Sequence, residues 1–178
     1  MKTYLTYGFG IAAACFVWTM IEDLAGLHGA HYDIGQFTHY VTWIVVIGGL
    51  WLGIKSIRTA SPDGSLTYGR GVGAGMAITC FYAIGSAITG AIFLAYINPN
   101  FGDVLLAEQT KRWEAKGMDS AQIEKAQQFM HFFFQPIPSA IYLFITSLLF
   151  GLILSLIIAA ILKRAGDGSA LPIEPPPI

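Results

Sequence analysis

Hydrophobic and polar positions in this chain are sorted into blocks much longer than one helical or strand repeat. Tyr4 to Ile21, Phe37 to Ile54, Gly71 to Ile97 and Ile137 to Leu162 contain no Asp, Glu, Lys or Arg, and nearly all charged residues stand between them. A helix needs roughly 20 apolar residues to cross about 30 Å of hydrocarbon. Within lipid each backbone N–H and C=O must find its partner inside the segment, which a helix provides. The pattern therefore predicts an all-α membrane protein: four antiparallel transmembrane helices at about 4–21, 37–54, 71–97 and 137–162, with a short helical extramembrane insert at 98–136 between spans three and four. Residues 1–165 form one four-helix domain, and 166–178 form a tail.

Composition strengthens that picture. Hydrophobic residues make up 54% and charged residues 12% of the chain, against about 25% charged in soluble domains, and the mean hydropathy is +0.59. A net charge of -1 with scattered Lys and Arg leaves no basic field for nucleic acid. Cys15 and Cys80 fall inside predicted spans and are expected to be free, as small apolar fillers. Ala13-Ala14-Cys15 loosely matches a lipoprotein cleavage site, but the apolar run continues through Phe16, Val17, Trp18 and Ile21, so it reads as a retained span.

Lys and Arg set the expected orientation, because cytoplasmic connectors carry their excess. Lys2, Lys55, Arg58, Arg70, Lys163 and Arg164 fall on one side, whereas 22–36 has neither residue type. Both termini are therefore expected in the cytoplasm of a bacterium, with the protein in its inner membrane and the insert outside. Lys55, Arg58 and Arg70 are candidates for gripping an anionic lipid headgroup.

Asn98-Pro99 and Gln135-Pro136 bound the insert, since proline disfavours helix in the residue before it. Two short helices are expected there: one over 103–116 ending at Gly117 in a left-handed stop, and one capped by Asp119 or Ser120. Ile123, Ala126, Phe129, Met130 and Phe133 give the second an apolar face for the bilayer surface or a partner protein. The tail, with Pro172, Pro175, Pro176 and Pro177, is expected to be disordered and cytoplasmic.

Helices in lipid associate by close packing at small residues. Gly49 and Gly53, Gly69 and Gly73, Gly71 and Gly75, Ser86 and Gly90, and Gly10 and Ala14 stand four apart. Gly49, Gly53, Gly71, Gly73, Gly75 and Gly90 are the candidate packing positions, within one bundle or in a homo-oligomer. The run from Gly69 to Gly75 lacks a preceding strand, and it also lacks the spacing and lysine of a nucleotide loop, so no cofactor is expected.

Candidate chemistry is sparse. His28, His31, His39 and His131 share one predicted face of the membrane and are the candidate metal ligands, although none stands at the i, i+4 spacing of a helical pair. Glu22 and Asp23 lie at a span end and read as interfacial. Thr79, Ser86, Thr89, Thr146 and Ser155 are the midspan polar residues, each placed to bond its own helix backbone. No local Ser or Cys with His motif points to nucleophilic catalysis, and no enzyme activity is expected.

Trp51-Leu-Gly-Ile-Lys-Ser-Ile-Arg58, Gly64-Ser-Leu-Thr-Tyr-Gly69, Asn98-Pro99-Asn100-Phe101 and Gly151-Leu-Ile-Leu-Ser-Leu-Ile158 running to Lys163-Arg164 together resemble a family of bacterial four-span membrane proteins catalogued only as a domain of unknown function. The resemblance covers nearly the whole chain. It implies the four-span topology and supplies no catalytic residue, substrate or cofactor. The expected role is that of a non-catalytic accessory or assembly component working with a membrane-protein partner. The alternatives are an oligomeric passage for a small solute or ion, and metal handling by the four histidines.

Overall fold

The computed structural model of the chain describes residues 1–28 and 31–164; the tail at 166–178 lies outside the described residues. Four long helices carry the architecture: α1 (Lys2–Leu24), α3 (Tyr40–Thr59), α4 (Tyr68–Ile92, continued by one π-helical turn, Phe93–Ile97) and α7 (Pro136–Leu162). Each is long and apolar enough to cross a membrane, and the chain is an all-α membrane protein. A short helix, α2 (Tyr32–Thr38), precedes α3, and the insert folds as α5 (Phe101–Ala115) and α6 (Ser120–Phe133).

The observed spans differ from the apolar blocks for local reasons. Thr67 caps α4, its Oγ1 accepting from the Arg70 N–H at 3.3 Å, so this helix starts three residues before the charge-free stretch. Pro136 opens α7, where its missing N–H costs nothing. Residues 37–39 belong to the expected second span but sit in α2 and the junction that follows it.

α4 packs against α1, α3 and α7, with its most extensive contact along α7. At the end of the bundle carrying Lys2, Lys55 and Lys163, here the basic end, Leu50, Ile54, Ile78 and Ile158 fill the interior with almost no exposure. Small residues bring the helices this close. A Cβ on Gly71 would meet the Cβ of Ala159 at 2.9 Å, and one on Gly49, Gly53, Gly75 or Gly90 would run into Ile11, Ile78, Ser155 or Leu143. Gly73 is the exception among the expected packing positions, being exposed with open space around it. It lies on the opposite stripe of α4.

Thr89 and Thr146 do bond their own helices, to the Gly85 and Tyr142 carbonyls at 3.0 and 2.7 Å. Thr79 and Ser155 do not: their hydroxyls are buried without a partner among the described residues. Thr79 sits against Gly151 and Ser155 against Gly75, so both act as small packing residues across the α4–α7 contact.

At the basic end Leu66 and Arg164 exchange two backbone hydrogen bonds, each 3.0 Å. They tie the α3–α4 connector to the end of α7. Arg58 Nη1 reaches the Leu162 carbonyl at 3.5 Å, a cation at a helix C-terminus. Arg70 Nη1 donates to Ser61 Oγ at 3.1 Å, and that hydroxyl donates to Asp63. Bonds from Ser65, first the side chain and then the backbone N–H, together with Ser61 hold the Asp63 carboxyl below its ordinary range.

The insert follows the capping signals in the sequence. Gly117 has φ +76°; its N–H reaches Glu114 O and the Met118 N–H reaches Trp113 O, the paired bonds that close a helix at a left-handed residue. Asp119 Oδ1 accepts from the Gln122 N–H at 2.8 Å and opens α6. The two helices are joined by Gln127 Nε2 donating to Thr110 Oγ1 at 2.8 Å, and Ile123 is buried in the hairpin. Asp119→Ala should destabilise α6 by about 1 kcal/mol, read as faster amide exchange confined to 120–127 while the long helices keep their protection.

Candidate functional site: a cavity beneath the insert

The polar residues of interest gather where α1 ends. α1 closes on Gly26, with φ +69°; the Gly26 N–H bonds Asp23 O and the Leu27 N–H bonds Glu22 O, both at 2.9 Å. This left-handed cap turns the chain back and sets His28 over the last turn of its own helix. His28 Nε2 lies 3.6 Å from Glu22 Oε2, and Nδ1 lies 3.6 Å from Asp23 Oδ1.

Other elements lock the two carboxylates. Thr38, the last residue of α2, donates from Oγ1 to Glu22 Oε1 at 2.7 Å, and its carbonyl accepts from Trp18 Nε1 at 3.3 Å. Asn98, just beyond the π turn, donates from Nδ2 to Asp23 Oδ1 at 2.6 Å. Glu22 is only 3% exposed. At the span end where the sequence places it, Glu22 is covered by Thr38 of α2 and by His28. An aromatic series then links this corner to the insert. His28 meets Phe101 edge-on at 5.0 Å, Phe101 meets Phe93 at 5.4 Å and Phe134 at 6.1 Å.

Beneath this roof lies a cavity of about 900 Å³, within the range of about 300–1,000 Å³ usual for small-molecule sites. All four long helices contribute to it, through Cys15 and Phe16, Trp43 and Val46, Tyr82 and Ser86, and Leu143 and Ser147. α5 and α6 cover part of it with Phe101, Met130 and Phe133, joined by Phe134 just after α6. Glu22, His28, His39 and Ser139 line the insert end. Ser139 is 6% exposed and its hydroxyl has no partner among the described residues. Toward the basic end the space stops at the packed layer of Leu50, Ile54, Ile78 and Ile158.

The structure does not collect the four histidines. His28 and His39 line the cavity, His31 stands exposed at the start of α2, and His131 lies in a shallow depression with Leu106, Gln127 and Gln128. Among the described residues no three His, Cys, Asp or Glu side chains are placed together to hold a metal ion. Of the headgroup candidates, Arg58 and Arg70 make the intrachain bonds described above, and Lys55 is exposed. Of the apolar face expected on α6, Ile123 is buried in the hairpin and Phe129, Met130 and Phe133 line the cavity, Phe129 keeping 67% of its surface exposed.

Sequence reasoning did not find the cavity or the Glu22–His28–Asp23 corner. Gly26 was the available signal, because a glycine after two acidic residues at a helix end marks a reversal that returns the next side chain onto the carboxylates. The cavity itself has no local signature, since the same apolar side chains line a void or fill a core.

No curated protein and no solved structure matches the chain. The model of a family described only as a protein of unknown function, DUF4199, matches residues 6–164, and the chain belongs to that family.

Proposed function

We propose that this chain is a non-catalytic accessory component of a bacterial cytoplasmic membrane that holds an amphipathic small molecule in the cavity beneath its insert. The observation that carries the reading is the space of about 900 Å³, lined mostly by apolar and aromatic side chains with scattered hydroxyls such as Thr42, Ser86 and Ser147, and carrying a carboxylate and two histidines, Glu22, His28 and His39, at one end. That division of surface suits an amphiphile lying along the bundle. A holding role rather than a reactive one is supported by the polar corner, whose carboxylates are engaged by Thr38 and Asn98. The orientation, both termini cytoplasmic and the insert outside, rests on the excess of Lys and Arg at the basic end. There Lys55 and Arg70 are exposed to a lipid headgroup.

Purification in mild detergent followed by solvent extraction and mass analysis should recover about one amphiphile per chain. Ser86→Trp and Thr42→Trp, which place an indole in the cavity from two different helices, should each reduce that yield severalfold while leaving the helical circular dichroism unchanged. Extraction of nothing from the wild-type chain, or equal recovery from both filled variants, would overturn the reading. A foreign protein recovered in fixed ratio in the same preparation would identify the machinery it serves.

A further inference from the structure

Four residues that line the cavity are also exposed: His39 and Trp43 at the start of α3, Phe129 on α6 and Tyr142 on α7. The lining residues of α1 and α4 are all buried or half-buried, so the cavity opens sideways, between α3 and the α6–α7 pair. We infer that the occupant is a lipid of the surrounding bilayer, one acyl chain passing through this mouth into the cavity while the headgroup stays at the membrane surface. The inference rests on the cavity-binding reading above and adds the class of ligand and its route.

Ring contacts draw the rim of the mouth. On one side Phe129 meets Phe133 at 4.9 Å and Phe133 meets Tyr142 at 5.7 Å; on the other Tyr40 meets Trp43 at 5.4 Å. The two sides join toward the basic end, where Trp43 meets Phe150 at 5.4 Å. Beyond that sill α6 packs on α5 and α7, and α3 and α6 have no extended contact among the described residues. Trp43 and Tyr142 keep 46% and 53% of their surface exposed. The insert end, by contrast, is tied down: Thr38 bonds Glu22, Asn98 bonds Asp23 and His28 packs on Phe101. The side of the bundle is therefore the way in.

Depth decides which medium faces the mouth. At about 1.5 Å per residue, Trp43 and Tyr40 lie about 22 and 27 Å along α3 from Arg58 at the basic end, within a hydrocarbon layer of about 30 Å. Their rings suit the edge of that layer. Lipid, not water, stands outside the opening. On α1 the lining runs from Ala12 to Glu22, about 15 Å at the same rise and half of that layer, which is the depth the chains of one leaflet reach. Glu22, His28 and His39 then fall near the headgroup level, and Ala12 and Val46 near the level of the chain ends.

Photolabelling tests the route. The full chain is placed in phosphatidylcholine nanodiscs doped with a phosphatidylcholine that carries a diazirine near the end of one acyl chain, irradiated, and mapped by peptide mass analysis. Adducts should form at Cys15 and Tyr82, which are buried and line the cavity, as well as at Ile84 and Ile88, which are exposed on α4. Ser86→Trp should cut the first pair severalfold and leave the second unchanged. A single-chain alkyl glucoside with the same diazirine is the comparison. Adducts at Cys15 and Tyr82 from the glucoside alone would overturn this inference and leave the cavity reading intact. No adduct at either residue from either probe, with Ile84 and Ile88 labelled and the helical circular dichroism intact, would overturn both.

Discussion

Gly8→Val should be among the most damaging single substitutions in this chain, and Gly10→Val, two residues away on the same helix, should be nearly silent. A Cβ on Gly8 would lie 2.7 Å from the Ile78 carbonyl oxygen and 3.0 Å from the Tyr82 nitrogen, besides striking the Cβ of Phe81. Two of these three atoms are α4 backbone, which cannot rotate away as a side chain can, so α1 must move off α4 along its length. Overpacking of a well-filled contact costs about 1–3 kcal/mol, occasionally more, and a backbone obstacle belongs at the upper end. Gly75→Val, whose Cβ meets Ser155 and the flexible end of Ile54, should fall lower in the same range. Gly10 and Gly73 have nothing within 4 Å of an added Cβ, so valine there should stay within about 0.5 kcal/mol. The check is the fraction remaining monodisperse in detergent after a temperature ramp, with all four variants side by side. Gly8→Val equal to Gly10→Val would mean that α1 and α4 are not in the contact described. A changed extracted mass in Gly73→Val alone would put a second copy of the chain on that open stripe.

The contrast between Gly8 and Gly10 also shows what the sequence can carry. Four spans and the two insert helices follow from blocks of apolar residues and from caps, which are properties of neighbours in the chain. Asp119 and Gly117 were readable for that reason. The choice between helix stripes is not local: Gly10 with Ala14 and Gly8 with Ala12 have the same spacing, and only the position of α4 decides that Gly8 and Ala12 are buried while Gly10 faces out. For the same reason the sequence does not separate Gly73, which stands on the open stripe, from Gly71 and Gly75, which pack inside the bundle.

Glu22 was legible as an acid near the hydrocarbon but not as a buried one, because the group that covers it comes from α2, a seven-residue helix too short to show a period. The partner of Asp23 is 75 residues away and has no sequence signal at all. The four histidines illustrate the opposite error. A shared side of the membrane gathers residues in projection, whereas a ligand set needs them within one coordination sphere, and only His28 and His39 share the cavity. Transmembrane topology was thus open to inspection, and the candidate site, built where four elements meet, was not.

The bond between Asp23 and Asn98 should behave as a coupled unit in a double-mutant cycle. It joins the end of α1 to the end of the π turn after α4, at 2.6 Å and with an ionisable acceptor. Hydrogen bonds to charged groups contribute about 1.5–3 kcal/mol; the Asp23 side chain is 22% exposed, and water competing for it brings the expected coupling to about 1–2 kcal/mol. Asp23→Ala and Asn98→Ala should each lower stability, and the double variant should be little worse than Asp23→Ala alone, because the second change removes a partner already lost. Asp23→Ala should be the more damaging single change, since the same oxygen also faces His28 Nδ1. Unfolding of the four proteins in mixed micelles gives the cycle, and losses that simply add would show that the two residues do not bond in the membrane. The consequence for the cavity is directional. Asp23 and Asn98 fasten the corner in which the neighbouring Glu22 is held, so Asn98→Ala should reduce the amphiphile recovered with the chain even though Asn98 is outside the cavity lining. Unchanged recovery beside a measured loss of stability would mean that Thr38 alone is enough to hold Glu22 in place.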